Sequence, residues 1–195
     1  MQLIVGISGA SGATYGIRLL EALRQTGVES HLILTLAARK TIHLETDRTV
    51  KEVEALAKHT YAIDDVAAAV ASGSFKTAGM VVLPCSIKSM SAIAHSYGDN
   101  LLVRAADVTL KERRRLVLAV RETPLHQGHL RTMLQLTKMG AVILPPVPAF
   151  YHRPKTIDDI VDQTVGKILD LFDIEHDLFQ RWTGVGTGGS GFGDP

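Results

Sequence analysis

The stretch Gln-Leu-Ile-Val-Gly-Ile-Ser-Gly-Ala-Ser-Gly at residues 2–12 decides how the rest of this chain is interpreted. An apolar run enters a turn of small residues, and residues 14–25 continue with helical periodicity. A buried strand followed by a glycine turn and a helix start presents free backbone N–H groups, which suit a phosphate. The glycine spacing, Gly6, Gly9 and Gly12, matches neither the dinucleotide fingerprint nor the triphosphate loop with its lysine. The turn therefore indicates a phosphate-binding site without identifying the phosphorylated ligand, and a purely structural turn remains an alternative.

The bulk composition limits the classes of protein that fit. The chain has 195 residues, of which 46% are hydrophobic and 21% are charged, as expected for one globular domain. A net charge of +1 gives no excess of positive charge of the kind that nucleic-acid-binding proteins carry. No apolar run is long enough to span a membrane. The single cysteine, Cys85, rules out an internal disulfide and favours a cytoplasmic location. Eight widely spaced histidines and the lack of a zinc motif predict no metal site.

Strand-like runs alternate with helical patterns along the chain. The apolar runs lie at 3–7, 29–35, 79–84, 115–121 and 141–145, and the helical patterns lie at 14–25, 50–57, 88–94, 101–113 and 129–139. This alternation predicts an α/β fold, a Rossmann-like (flavodoxin-like) doubly wound parallel sheet with helices on both faces. Residues 58–78 read as a loop with an Ala-rich helix at 64–71. We expect one domain at 1–182 and a disordered glycine-rich tail at 183–195.

Polar and small residues follow the ends of these strands. Because parallel strands end at the same edge of a sheet, the segments after them should meet there, where doubly wound folds bind ligands. The segments begin at Ser8, Thr35, Cys85, Arg121 and Pro145. The convergence is stronger evidence for a binding site than any one of these segments.

Eight segments, in order over nearly the whole chain, resemble the flavin prenyltransferases, the UbiX-like proteins once named as phenolic or aromatic acid decarboxylases. Two of them are highly specific together: Arg-Ala-Ala-Asp-Val-x-Leu-Lys-Glu-Arg at 104–113 and Arg-Glu-Thr-Pro at 121–124. The others are Gly-Ala-Ser-Gly-Ala at 9–13, Leu-Glu-Thr at 44–46, Ser-Gly-Ser-Phe at 72–75, Pro-Cys-Ser-Ile-Lys-Ser at 84–89, Asn-Leu-Leu-Val at 100–103 and Pro-Ala-Phe-Tyr at 148–151.

The resemblance implies a metal-independent transferase. Such an enzyme joins the dimethylallyl group of dimethylallyl monophosphate to N5 and C6 of reduced FMN. The product, prenylated FMN, would serve a separate UbiD-like decarboxylase. The resemblance also implies a homo-oligomer, a dodecamer, with flavin at the subunit interfaces.

The resemblance assigns roles residue by residue. FMN would be held by Gly9, Ala10, Ser11, Thr35, Ser86, Ile87, Lys88, Ser89 and Arg121. The allylic phosphate and its prenyl group would be held by Arg104, Lys111, Glu122, Tyr151, Lys167 and Trp182, some of them from a neighbouring subunit. Catalytic roles would fall to Ser11, Glu45, Lys111 and Glu122. Lys167 stands where arginine is common in the family, so the cation is kept and the bidentate fork is lost.

Two other functions remain open from the sequence. Flavin-dependent cysteine decarboxylases share the fold and the FMN site, but Arg104, Lys111 and Glu122 have no purpose in that chemistry. A non-catalytic FMN carrier would need only one of the two phosphate-binding sets. Prenylation of flavin separates these possibilities from a transferase.

Overall fold

A six-stranded parallel sheet forms the centre of the computed structural model, which describes residues 1–181. The strands are β1 (Gln2–Ile7), β2 (Glu29–Leu34), β3 (His59–Tyr61), β4 (Gly79–Cys85), β5 (Arg115–Val120) and β6 (Val142–Ile143). Their order is β3-β2-β1-β4-β5-β6, with every neighbouring pair parallel. This is the strand order of the Rossmann fold, whose direction of winding reverses between β1 and β4. The predicted fold class is confirmed.

Seven α-helices accompany the strands within this part of the chain. They are α1 (Ala13–Thr26), α2 (Leu36–Glu45), α3 (Val50–Glu54), α4 (Ile87–Ala94), α5 (Leu101–Lys111), α6 (Gln127–Met139) and α7 (Ile157–Leu171). A short 3-10 helix at Ala69–Ala71 replaces the Ala-rich α-helix predicted at 64–71, so that prediction was wrong. Alanine favours a helix, but here Val70 and Ala71 are buried against α5 as a single 3-10 turn, and tertiary packing outweighs the propensity.

Two apolar layers, one on each face of the sheet, form the core. On one face α1, α2, α3 and α7 pack against alternate strand residues such as Val5 and Leu32. On the other face α4, α5 and α6 pack against the intervening residues such as Ile4 and Ile33. Alternate residues of a strand point to opposite faces, so continuous apolar strands are what a sheet covered on both sides requires. None of the helices within residues 1–181 is both long and apolar enough to cross a membrane.

Candidate active site

A cavity of about 790 Å³ opens at the carboxyl ends of β1, β2 and β4, beside the point where the winding reverses. Its size is within the range of small-molecule and cofactor pockets. The helices α2 and α4 begin at this cavity, at residues Leu36 and Ile87. Their free N–H groups and positive dipole ends favour an anion there. The lining residues are Gly9, Thr35, Leu36, Ala37, Ile63, Asp64, Ser86, Lys88, Ser89, Ser91, Ala92, His95, Tyr97, Asp99, Asn100 and Val103.

Hydroxyl groups fix the two helix starts. Thr35 Oγ1 accepts a hydrogen bond of 3.0 Å from Ala38 N and caps α2. Ser86 Oγ accepts one of 3.2 Å from Ser89 N and caps α4. The loop carrying Ser86 is tied to the first loop by the buried Ser8, whose Oγ donates to Pro84 O at 2.8 Å and accepts from Ser86 N at 2.7 Å. The loop carrying Thr35 is tied to β1, because Thr35 N donates to Ile7 O at 3.1 Å. The walls of the cavity are therefore held in place without a ligand.

Gly9 allows the first loop to approach α2 closely. A Cβ at this position would lie 2.2 Å from Ala37 Cβ and 3.2 Å from the Ala37 backbone. Any side chain here would push α2 away from β1. The glycine is therefore explained by the narrow gap between the first turn and the second helix.

The carboxylate of Glu45 anchors the first turn from the far end of α2. Its Oε2 accepts hydrogen bonds from Gly12 N at 2.8 Å and Ala13 N at 3.0 Å, which are the first N–H groups of α1. Burial raises the pKa of Glu45, but the bonds from Ala13 N, Gly12 N and the Ser11 hydroxyl, with the charge of Arg121, outweigh it and leave the pKa lowered. Glu45 is thus an ionised acceptor at neutral pH.

Glu45, at the end of α2, lies near Ser11 and within the electrostatic influence of Arg121, two further predicted site residues from the loops after β1 and β5. Ser11 follows β1, and Arg121 follows β5 with its N donating to Cys85 O at 3.0 Å. Glu122 is exposed beside Arg121, and its Oε1 accepts from Thr123 N at 3.1 Å. Ala10 is buried behind Ser11, and Ile87 is half-buried on α4.

Arg104 and Lys111 both meet the turn at residues 71–75. Arg104 Nε donates to Ala71 O at 3.2 Å, and its Nη1 pairs with Asp107 at 3.2 Å. Lys111 Nζ pairs with Glu112, and a Cβ on Gly73 would lie 2.8 Å from that nitrogen. The structure thus places two of the predicted phosphate-binding cations on one face of α5.

Tyr151 and Lys167 lie on the other side of the sheet. Gln163 Nε2 donates to the Tyr151 hydroxyl at 3.2 Å, and Gln163 is one turn from Lys167 on α7. Because α7 and α5 cover opposite faces of the sheet, one chain does not gather the four residues into a single site. Trp182 lies outside the described residues.

Sequence reasoning missed several residues of this region. Asn100 Oδ1 caps α5 by accepting from Val103 N at 3.1 Å, and the residue also lines the cavity. An asparagine directly before an apolar helical run was a readable signal for that cap. Arg114 donates to Gly73 O and Phe75 O, at 2.6 Å each, and holds the turn at 71–75. Its position in a run of basic residues gave no sign of this role.

Comparisons with known proteins agree with this geometry. The family model described as Flavoprotein matches residues 1–174. Flavin prenyltransferase UbiX of Escherichia coli strain K12 is 62% identical over 187 residues, which cover 94% of this chain and 99% of that protein.

Two solved structures superpose closely on the chain. AnUbiX (PadA1), in complex with FMN and dimethylallyl pyrophosphate, has a TM-score of 0.93 and 52% identity, covering 94% of this chain and 97% of its own. A dodecameric FMN-dependent UbiX-like decarboxylase from Escherichia coli O157:H7 has a TM-score of 0.93 and 50% identity, covering 94% and 100%. This chain belongs to the flavoprotein family and, within it, to the UbiX-type flavin prenyltransferases.

Proposed function

We propose that this chain transfers a dimethylallyl group from dimethylallyl monophosphate to N5 and C6 of reduced FMN. The observation that carries the proposal is the cavity at the carboxyl edge of the sheet, where α2 and α4 both begin. In its favour, a relative 52% identical to this chain was solved with FMN and dimethylallyl pyrophosphate. In the reaction the allylic C–O bond breaks and inorganic phosphate leaves with the electron pair. The first bond forms at N5, which loses its proton. The remaining C=C bond of the prenyl group then takes up a proton, its other end bonds to C6, and C6 loses a proton.

The residues around the cavity fit FMN as a substrate. Hydroxyls of Thr35, Ser86 and Ser89, the ammonium of Lys88 and the N–H groups of two helix starts suit a phosphate and a polyhydroxylated chain. The walls between them are largely apolar, which suits a flat ring system. Gly9, Ala10 and Arg121 would complete the flavin site from the loops after β1 and β5.

Ser11 and Glu45 would handle the proton at flavin N5. The Ser11 hydroxyl donates to the Glu45 carboxylate, so a proton passed to Ser11 has an acceptor already in contact. The lowered pKa of Glu45 keeps that acceptor ionised. Glu122, exposed after β5, is a further carboxylate at this edge of the sheet and would assist proton transfer at the departing phosphate.

Arg104 and Lys111 would bind the phosphate of the allylic substrate and offset its charge as it departs. We propose that Tyr151 and Lys167 of a neighbouring protomer complete this site, because within one chain they lie across the sheet from α5. A relative 50% identical to this chain is dodecameric, which supports such an assembly. From the family resemblance, Trp182 would stabilise the allyl cation through its ring face.

We further propose that the prenylated flavin is passed to a UbiD-like decarboxylase in the cytoplasm. The single cysteine is a buried free thiol, as suits a reducing compartment that also supplies reduced flavin.

The test is anaerobic incubation of the protein with reduced FMN and dimethylallyl monophosphate. We expect the mass of the flavin to rise by one prenyl unit. Lys111→Ala and Glu122→Gln should each reduce the rate at least about tenfold, while Lys76→Ala, which removes another exposed lysine, should not. Bound FMN that gains no mass would indicate a carrier protein and refute the proposal. Evolution of carbon dioxide from a peptide with a carboxyl-terminal cysteine would favour the decarboxylase alternative.

A further inference from the structure

Three potential metal ligands meet on the outer strands of the sheet, away from the flavin cavity. They are the carboxylate of Glu29 and the imidazoles of His31 and His59. One ligand atom from each lies within 4.8 Å of the other two. Glu29 starts β2, and His31 and His59 are directly opposite each other in the pairing of β2 with β3. The flavin cavity is at the other ends of these strands, so the two sites are separate.

His31 has a buried nitrogen without a partner. The residue is 2% exposed, and its Nε2 has no hydrogen-bond partner among the described residues. A buried polar atom left unpaired costs free energy, so an orphan of this kind needs an explanation. The other ring nitrogen, Nδ1, is 2.9 Å from the hydroxyl of Tyr61. With Nδ1 engaged there, Nε2 is the nitrogen that remains for the cluster.

This arrangement resembles the outer shell of a protein metal site. A metal-bound histidine usually donates its second N–H to an oxygen, which fixes the tautomer and the orientation of the ring. Tyr61 is placed for that role, and Phe75 packs edge-on against the His31 ring with centroids 5.2 Å apart. The buried ligand is therefore already oriented.

The other two ligands can move to meet a metal. In a tetrahedral zinc site the ligand atoms are about 3.3 Å apart, as follows from bond lengths near 2.0–2.1 Å. Glu29 and His59 are exposed, so side-chain rotations can bring their atoms in from the present spacing. The His59 ring is stacked face to face on the His31 ring, with centroids 4.7 Å apart, so it must turn out of the stack for its nitrogen to point at the same ion.

We propose that Glu29, His31 and His59 bind Zn²⁺, with water as the fourth ligand. Two imidazoles and one carboxylate are a donor set typical of zinc. The ion would join the short edge strand β3 to β2 and satisfy the buried nitrogen of His31. Spacing along the sequence does not reveal this site, because His31 and His59 are brought together only by strand pairing.

The experiment is titration of the full chain with Zn²⁺ in a chelator-free buffer by calorimetry, with Co²⁺ as a spectroscopic probe. We expect one ion per chain and intense Co²⁺ absorption of the tetrahedral type. His59→Ala and Glu29→Gln should each weaken binding more than about tenfold, and Tyr61→Phe, which removes only the outer contact, by roughly tenfold. Zn²⁺ should also slow hydrogen exchange of the β3 amides.

Two control variants test whether other histidines bind the ion. His43→Ala removes an exposed histidine on α2 and should leave the affinity unchanged. His126→Ala disrupts the other close histidine pair, His126 and His129, and should also leave it unchanged. The proposal is overturned if the protein binds no Zn²⁺, if His59→Ala and Glu29→Gln bind it as tightly as the parent chain, or if His126→Ala abolishes binding. Flavin prenylation does not enter these readouts, so they are independent of the proposed function.

Discussion

Replacing Gly73 with alanine should damage prenyl transfer while leaving the fold intact. A Cβ at Gly73 would lie 2.2 Å from Glu112 Oε1 and 2.8 Å from Lys111 Nζ. The backbone of the turn cannot yield easily, because Arg114 donates to Gly73 O and Phe75 O at 2.6 Å. The ion pair of Lys111 and Glu112 must move instead. Ordinary contact begins near 3.4 Å, so the Glu112 carboxylate has to shift by about 1.2 Å, the difference between 3.4 and 2.2 Å, and Lys111 Nζ by about 0.6 Å, the difference between 3.4 and 2.8 Å.

The size of the effect follows from the exposure of this pair. Both side chains are partly exposed, at 47% and 34%, and surface ion pairs contribute about 0–1 kcal/mol, so the free energy of unfolding should change by no more than about 1 kcal/mol. A displacement of about 1 Å in a positioned catalytic group can lower a rate about a hundredfold, and Lys111 Nζ, the catalytic group of this pair, has to move by about 0.6 Å, so a hundredfold loss is the upper end of the range. We therefore expect kcat/KM for flavin prenylation to fall between about tenfold and a hundredfold.

The assay is the initial rate of prenylated FMN formation, measured anaerobically by mass spectrometry, together with a urea unfolding curve for each variant. Gly98→Ala is the matched control, because a Cβ there meets nothing within 4 Å. FMN affinity should be unchanged, since Gly73 does not line the cavity. A Gly73→Ala protein with the parent rate would refute the role given to Lys111. An equal loss of rate in Gly98→Ala would also refute it.

Three further predictions concern the first loop, its carboxylate anchor and the cysteine. Glu45→Gln should lower the urea midpoint at pH 7. Because the folded-state pKa of Glu45 lies below its ordinary value of 4.5, the difference in midpoint between parent and variant should shrink as the pH falls through and below 4.5. A difference that does not change with pH would contradict this account. Gly9→Ala should weaken FMN binding at least about tenfold, as measured by equilibrium dialysis, because the added Cβ would lie 2.2 Å from Ala37. An unchanged FMN affinity would show that α2 can move freely and would contradict this prediction. Burial raises the pKa of Cys85 to about 12, so Ellman's reagent at pH 8 should label the thiol only after unfolding, and rapid labelling of the native protein would contradict its burial.

The central strands could be predicted from the sequence because burial on both faces demands unbroken apolar runs. The strands β1, β2, β4 and β5 were found at nearly their observed bounds. The edge strand β3 was missed, because its three residues are exposed or half-buried and carry no apolar pattern. Helix α2 was missed because only Ala38 and Ile42 are buried on it.

Helix α7 was missed although its sequence carried the signals. Thr156 and Asp159 form a capping box at its start, and Val161, Val165, Ile168 and Leu169 form a buried stripe with helical spacing. The strand β6 is shorter than predicted. Prolines 145, 146 and 148, which follow it, cannot donate to a neighbouring strand.

The site divides into parts that sequence could predict and a part that it could not. Convergence of Ser11, Thr35, Ser86 and Arg121 follows from parallel strands ending at one edge, which is a property of the fold class. The separation of Arg104 and Lys111 from Tyr151 and Lys167 depends on which face each helix covers. That choice is made by tertiary packing, so only the structure shows that the two pairs lie on opposite faces of the sheet within one chain.

Glu45 links the stability of the first turn to the proposed chemistry. Gly12, which precedes α1, has no side chain to cap the helix, and a carboxylate 33 residues away supplies the missing acceptor. Since that carboxylate also receives the Ser11 hydroxyl, the group that would accept the proton from flavin N5 is held in place before any ligand arrives. Protonating Glu45 adds a proton to the oxygens that accept from the α1 N–H groups and therefore weakens the cap. Turnover would accordingly require that the proton pass on quickly to the departing phosphate or to solvent, so that the cap of α1 is restored after each reaction.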